Sequence, residues 1–124
     1  MTWTDDELSR IEASDELEIA PVRRDGTLRK ALPIWVVRVD DALYVRAAYG
    51  PQTGWYRVAR TSHAGRVQAG GVEKDVTIED TDASVNDAVD AAYRAKYHRY
   101  AANIVDSVTN AQSRDTTLKL TPRA

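Results

Sequence analysis

The chain has 124 residues, of which 43% are hydrophobic and none is cysteine, and its 17 Lys and Arg against 19 Asp and Glu give a formal net charge of −2. The length and the apolar share predict a single folded domain over residues 1–124, and the lack of cysteine excludes disulfides, thiolate metal sites and a cysteine nucleophile. Since the chain is mildly acidic, has no apolar run of roughly 18 residues and shows no leader peptide, we expect a cytoplasmic protein that binds neither nucleic acid nor membranes.

The first part of the chain is predicted to hold a helix, a strand and a turn. Thr4 and Glu7 have the spacing of a capping box, which predicts a short helix through about Ala13. Apolar and acidic residues then alternate, which predicts a half-buried strand that ends near Pro21. Asp25-Gly26 follows and is a strong hairpin signal.

The middle of the chain is predicted to continue as a meander of strands. A return strand runs from Leu28 to Val39, and Pro33 within it indicates an edge position or a bulge, because proline cannot donate to a strand ladder. Ala42–Ala48 is the next predicted strand. After a glycine-bounded loop, Trp55 begins a short helical segment.

The C-terminal half is predicted to be mostly helical between two strands. Val72–Glu79 reads as a strand, and apolar residues from Val85 to Val108 recur at three- and four-residue steps, which predicts a long amphipathic helix. A break near Tyr97–Tyr100 is an open alternative. Thr116–Thr121 is the last predicted strand. This order of elements is typical of an α+β fold with an antiparallel sheet.

Positive charge is concentrated in the middle of the chain. Between Val22 and Ala69 nine Lys and Arg stand against three acids, a local balance of +6, whereas the rest of the chain has eight cations and sixteen acids. A basic centre in an acidic protein indicates a local anion site. The predicted members of this anion patch are Arg29, Lys30, Arg46 and Arg57.

A loop and an aromatic pair lie within the same stretch. Gly50 and Gly54 bound the loop and would let the backbone approach a ligand closely. Arg57 falls in the first helical turn after the loop, where the helix N-terminus favours an anion. The alternative interpretation is structural: the arginines pair with acids elsewhere in the chain, and Trp55 belongs to the core.

Several short segments resemble a known family. They are Gly26–Ile34, Tyr44–Gly50 and Trp55–Ala59, and the terminal Leu120-Thr121-Pro122 matches in outline. In these segments the chain resembles domain-of-unknown-function family 2255, which is similar to the deazaflavin-dependent nitroreductases of the split-barrel flavin-binding superfamily. The chain departs from that pattern where Arg57 stands in place of a His.

The resemblance implies a fold and a function. The implied fold is an α+β antiparallel split β-barrel of about six strands, with an N-terminal helix and a long C-terminal helical segment. The implied function is a flavin- or deazaflavin-dependent oxidoreductase, acting on a small organic substrate and forming a homodimer. The cofactor, FMN or a deazaflavin, would be bound by Arg29, Lys30, Arg46, Tyr49, Gly50, Trp55, Tyr56 and Arg57, with the cations on its phosphate and the aromatic residues on its ring.

Two other classes of function stay open from the sequence. One is a non-catalytic binder or carrier of such a cofactor or of another small anionic molecule, and the other is a structural split-barrel module. No side chain is assigned as a catalytic acid, base or nucleophile, which fits an enzyme whose cofactor supplies the chemistry. His63 and His98 are far apart and have no ligand spacing around them, so no metal site is predicted.

Overall fold

The protein folds as a seven-stranded antiparallel sheet that curls into a nearly closed barrel. In this computed structural model, which describes residues 2–123, the strands are β1 (Leu17–Pro21), β2 (Leu32–Ile34), β3 (Val36–Val39), β4 (Ala42–Val45), β5 (Ala64–Ala69), β6 (Val72–Asp80) and β7 (Leu118–Pro122). The helices are α1 (Asp5–Ala13), α2 (Gly54–Ser62), α3 (Asn86–Lys96), α4 (Ala102–Asp106) and α5 (Ala111–Arg114), and a short 3₁₀ helix spans Ala83–Val85.

The predicted fold class is confirmed, with seven strands where about six were expected. The strand order is β2-β1-β5-β6-β7-β4-β3, and every neighbouring pair is antiparallel. The capping box at Thr4 and Glu7 forms as predicted and starts α1. None of the helices within residues 2–123 is long and apolar enough to cross a membrane.

The predicted continuous strand from Leu28 to Val39 is wrong, because the chain changes partners at Trp35. Before this residue β2 pairs with β1, and Ile34 lies opposite Leu17. After it β3 pairs with β4, and Val36 lies opposite Val45. These two pairs are at opposite ends of the strand order, so one residue links the two ends of the sheet. Pro33 lies in the end strand β2, as its missing N–H requires.

Two helices, α3 and α4, replace the single long helix predicted between Val85 and Val108. Helix α3 ends at Lys96, and the open alternative of a break near Tyr97–Tyr100 is the one the structure adopts. Tyr97 is fully buried beyond the end of α3, and its hydroxyl donates to the Asp15 carbonyl at 2.6 Å. Its ring stacks on Trp35 with the centroids 3.8 Å apart. These contacts hold the segment that follows α3 against Trp35, the residue between β2 and β3.

Two apolar clusters lie on the two faces of the sheet. Leu43, Val45, Val67 and Ile78 belong to the cluster inside the barrel. The second cluster lies between the outer face and α3, and its members include Val37, Tyr44, Val89, Tyr93 and Tyr97. Adjacent residues such as Val36 and Val37 therefore point to different clusters, as the period of a strand requires.

Candidate functional site

Four arginines surround a surface cavity of about 450 Å³ beside the start of α2. The cavity is lined by Arg23, Arg24, Arg29, Gly54, Arg57, Val58 and Thr61. The first three arginines come from the connection between β1 and β2, and the other lining residues come from α2. Four of the nine cations of the basic stretch thus line one concave surface in the folded chain.

The helix end at this cavity has no internal compensation for its positive charge. Thr53 is the N-cap of α2, but its side chain makes no capping hydrogen bond, and the first turn of the helix contains no acid. A helix N-terminus carries about half a positive charge, and cations placed there destabilise it. Arg57 lies in this region of α2, and Arg29 approaches Gly54 so closely that a Cβ at position 54 would lie 3.1 Å from its guanidinium.

The arginines of this cavity are not used in ion pairs. Within residues 2–123, none of the ion pairs involves Arg23, Arg24, Arg29 or Arg57. Arg23 donates to the Leu28 carbonyl at 3.1 Å, which orders the turn. Four cations and an uncapped helix N-terminus therefore converge on one concave surface, and an anion such as a phosphate is the ligand that this arrangement suits.

A second cavity, of about 330 Å³, is lined by the residue that precedes Gly54 in the chain. Thr53 lines it, whereas Gly54 lines the first cavity. Strand β2 and Trp35 line it, together with Ile104 and Val108 from the C-terminal part of the chain. Tyr49, Trp55 and Glu16 also line it. Because most of its walls are apolar or aromatic, this cavity suits a flat, largely uncharged group.

The structure corrects the expected role of Arg46 in the anion patch. Its side chain is fully buried and pairs with Asp90, which is 2.5 Å from its Nη1. Its remaining donors reach Thr117 Oγ1 at 2.8 Å, the Val108 carbonyl at 2.8 Å, and the carbonyl and amide oxygen of Asn86. Arg46 lies along the second cavity, but its guanidinium is already saturated. The structural interpretation weighed from the sequence therefore applies to this arginine.

The other predicted residues are distributed between different surfaces. Lys30 is exposed and lines neither cavity. Tyr49 is 83% exposed at the second cavity, and Gly50 beside it adopts a positive φ of 87°. Trp55 is 3% exposed, so it belongs to the core as well as to the second cavity wall.

Tyr56 does not form a common wall with Trp55. The two rings meet edge-on at 90°, and Tyr56 faces a separate polar cavity with Arg60 and Asp80. Burial raises the pKa of the Tyr56 phenol, and the nearby Arg60 guanidinium offsets part of that effect. Consecutive residues of a helix point about 100° apart, so an adjacent aromatic pair rarely lines one face.

Arg23, Arg24, Trp35 and Thr53 are among the residues that the fold brings to the cavities and that sequence reasoning missed. Arg23 and Arg24 were counted in the basic stretch, and their position on the turn next to Gly26 was the available signal. Trp35 and Thr53 carried no local signal, since only the change of strand partners and the start of α2 place them at the second cavity. Within residues 2–123, no group of three His, Asp or Glu side chains could hold a metal ion.

Comparison with known proteins identifies the family. The profile of the family described as "Uncharacterized protein conserved in bacteria (DUF2255)" matches residues 7–120. No curated protein matches the sequence.

Several solved structures share the fold at low sequence identity. An F420 reductase superposes with a TM-score of 0.64 and 16% identity, covering 94% of this chain and 92% of that one. HutZ, the heme storage protein from Vibrio cholerae, gives 0.66 and 11%, covering 100% and 92%. An FAD-binding protein from Mesorhizobium loti gives 0.61 and 16%, covering 100% and 93%. At these identities the similarity shows the fold alone.

Proposed function

Because the chain belongs to the DUF2255 family and has the split-barrel fold, we propose that it binds a phosphorylated flavin or deazaflavin. The phosphate lies in the cavity of Arg23, Arg24, Arg29 and Arg57, and the ring system lies in the second cavity. The observation that carries the proposal is that the neighbouring residues Thr53 and Gly54 line a largely apolar, aromatic cavity and a cationic cavity without ion pairs, respectively. The names of the F420 reductase and the FAD-binding protein support the choice of cofactor class.

The proposed activity is oxidoreduction of a small organic substrate. When bound, the cofactor supplies the hydride chemistry, and the protein binds it, orients it and keeps water from its ring. The aromatic and aliphatic walls of the second cavity suit that task. Glu16 is the carboxylate among its lining residues.

A carrier function without catalysis is the second candidate. It is favoured by the second cavity, whose one guanidinium, that of Arg46, is already fully bonded inside the protein. Tight cofactor binding without electron transfer to any nitroaromatic or quinone acceptor would assign the chain to this class.

The test compares ligands with and without a phosphate. FMN, a deazaflavin phosphate and riboflavin are titrated into the protein, and binding is followed by tryptophan fluorescence and isothermal calorimetry. FMN should bind at least tenfold more tightly than riboflavin, since a charge-assisted contact contributes about 1.5–3 kcal/mol and 1.4 kcal/mol is a factor of ten. The difference should shrink as salt is raised, because the cavity is open to solvent.

Matched arginine variants sharpen the test. Arg29→Ala and Arg57→Ala should each weaken FMN binding about tenfold and leave riboflavin binding nearly unchanged. Arg66→Ala is the control, because Arg66 is an exposed arginine already paired with Asp75 at 2.9 Å. Equal affinities for FMN and riboflavin, or no binding of either at millimolar concentration, would refute the phosphate site.

A further inference from the structure

A small polar cavity of about 220 Å³ shares no lining residue with the two cavities described above. It lies between α2, the end of β6, the start of α3 and the segment that joins α5 to β7. Its lining residues are Tyr56, Arg60, Asp80, Thr81, Ala83, Asn86, Arg114, Asp115 and Thr117. The proposed cofactor uses none of these residues, so the polar cavity is a separate feature of the molecule.

Asn86 gives the polar cavity an unused hydrogen-bond donor. The residue is 8% exposed, and its Oδ1 accepts from Arg46 Nη2 at 3.3 Å and from Thr117 Oγ1 at 2.8 Å. Because a guanidinium can only donate, the amide oxygen must face Arg46 and the Nδ2 must face the other way. The Nδ2 has no hydrogen-bond partner in the described chain, and it is not among the unbonded atoms there that are shielded from solvent. It is therefore an accessible donor.

Tyr56 adds a second donor, and Asp115 adds a free carboxylate. Tyr56 is 3% exposed, and within residues 2–123 its hydroxyl donates to no acceptor, since the neighbouring Arg60 can itself only donate. This hydroxyl, too, is not among the unbonded atoms that are shielded from solvent. Asp115 is exposed, and none of the ion pairs of the described residues includes it.

Both guanidinium groups of the polar cavity are already neutralised. Arg60 faces both carboxylate oxygens of Asp80, at 3.2 and 3.3 Å. Arg114 lies 2.7 Å from Asp87 and 3.1 Å from Asp90. The lining therefore offers two free neutral donors and one free negative charge, and a ligand that matches it has an acceptor group and a cationic group on one small skeleton.

We propose that the polar cavity binds a small amino acid. The carboxylate of the ligand accepts from the Asn86 Nδ2 and the Tyr56 hydroxyl, and its ammonium group donates to the Asp115 carboxylate. A simple anion would be repelled by Asp115, and a simple amine would leave both donors unbonded, whereas a zwitterion satisfies all three groups. The volume of about 220 Å³ suits a molecule with only a few carbon atoms.

The experiment is a titration of the wild-type protein with L-alanine, followed by two-dimensional ¹H–¹⁵N NMR. The side-chain amide of Asn86 and the backbone amides of Asp115 and Thr117 should shift in a saturable way, with a dissociation constant in the millimolar range. Acetate and methylammonium each carry one of the two charged groups and should bind at least tenfold more weakly. This comparison needs no variant, so it tests the proposal even where a substitution disturbs folding.

Two variants each remove one contact and nothing else that the structure shows. Tyr56→Phe and Asp115→Asn should each weaken L-alanine binding about three- to tenfold and leave the melting temperature unchanged, because neither the hydroxyl proton nor the carboxylate has a partner in the protein. The controls are Tyr44→Phe, a buried tyrosine at another cavity, and Asp106→Asn, an exposed acid that does not line the polar cavity. Both controls should stay within twofold of the wild type.

Three results would overturn the proposal. They are the absence of any saturable shift with L-alanine up to about 50 mM, equal binding of acetate and L-alanine, and unchanged L-alanine affinity in both Tyr56→Phe and Asp115→Asn. None of these results bears on the phosphate site, because the two sites share no residue. Conversely, a failure to bind FMN would leave the amino acid site standing.

Discussion

Arg46 and Asp90 form an ion pair inside the molecule, between β4's C-terminal end and α3. The side chain of Arg46 is 0% exposed and that of Asp90 is 9% exposed. Thr117 and Asn86 complete the bonding of the guanidinium and are hydrogen-bonded to each other at 2.8 Å. Since the Val108 carbonyl also accepts from Arg46, this one side chain connects the sheet to α3 and to the segment that follows α4.

Breaking this pair should strongly destabilise the protein. We expect Arg46→Met to lower the free energy of unfolding by about 3 kcal/mol, because it removes the buried partner of the Asp90 carboxylate, which then keeps only Arg114, at 3.1 Å. Urea denaturation followed by tryptophan fluorescence measures the change. Arg60→Ala is the matched control, since its pair with Asp80 is about half exposed, at 51% and 50%, and should cost no more than about 1 kcal/mol. A loss below 1 kcal/mol for Arg46→Met would contradict the assignment.

Stability should rise with pH between about 8 and 10 because of Lys96. Burial lowers the pKa of Lys96 from its usual 10.5 to about 8, against the opposing effect of the Glu12 and Asp15 carboxylates. Its Nζ donates to the Val36 carbonyl at 2.8 Å and lies 5.2 Å from the centre of the Tyr97 ring. In this window the unfolded chain binds more protons at this lysine than the folded chain, so deprotonation favours the folded state.

The free energy of unfolding should rise by about 1 kcal/mol between pH 8 and pH 10, because solvent screening at this partly exposed lysine reduces the roughly 2 kcal/mol that the pKa difference alone would give. Above pH 10 the trend should reverse, because burial raises the pKa of Tyr93 and of Tyr97, and unfolding then releases their protons. Chemical denaturation at half-unit pH steps gives the curve. Lys96→Met should abolish the rise and keep the fall, whereas an identical rise in this variant would show that another group is responsible.

Gly54→Ala should separate anion binding from folding. Gly54 is the first residue of α2 and has no positive φ, so alanine should leave the free energy of unfolding unchanged or raise it by up to about 1 kcal/mol. The new Cβ would lie 3.1 Å from the Arg29 guanidinium and push it away from the helix N-terminus. We therefore expect weaker FMN binding in a protein of normal stability.

A double variant tests the cause of that loss. If Gly54→Ala acts through Arg29, it should weaken FMN binding little or not at all in an Arg29→Ala background, because both changes remove the same contact. Calorimetric titration of the four proteins completes the cycle. Additive losses would mean that the methyl group disturbs the helix end itself.

The homodimer implied by the resemblance stays a prediction. The exposed apolar surface that supports it is not the one expected from the sequence. The apolar faces of Ile34–Val39 that suggested a partner are covered within the chain, where Val36 is 0% and Val37 is 1% exposed. Tyr49 and Ile104 instead remain 83% and 44% exposed at the second cavity. Exposed apolar groups beside a cavity favour a second copy as the cover.

Light scattering at micromolar concentration should therefore give twice 13.8 kDa. The double variant Tyr49→Ser with Ile104→Ser should be monomeric. Leu28→Ser is the control, because Leu28 is 40% exposed but lies away from this cavity. A wild-type mass of one chain would refute the dimer, and a dimer that survives the double variant would place the interface elsewhere.

Local sequence patterns predicted where helices and strands lie better than they predicted which strands pair with each other. The capping box started α1, and Trp55 lies in the first turn of α2, because caps and short apolar periods are encoded within a few residues. The break at Trp35 was not predictable in this way, since both sides of it are apolar and extended. Only the pairing of β2 and β3 with different neighbours decides where the strand is divided.

The candidate site was predictable as a region but not as a list of residues. The excess of cations over acids drew attention to Arg29 and Arg57, and both line the cationic cavity. Arg46 looked the same in the sequence. Its partner Asp90 is 44 residues away along the chain, and nothing local distinguishes a paired buried arginine from a free one.

The change of strand partners at Trp35 leaves the barrel open between β2 and β3. These two strands follow each other in the chain but are not hydrogen-bonded to each other. The second cavity is lined by residues from both ends of the sheet, including Ile34 of β2 and Ala48, which follows β4. A molecule bound in it would contact both ends and would therefore oppose opening of the barrel. Amide exchange should then slow in strands that the molecule does not contact.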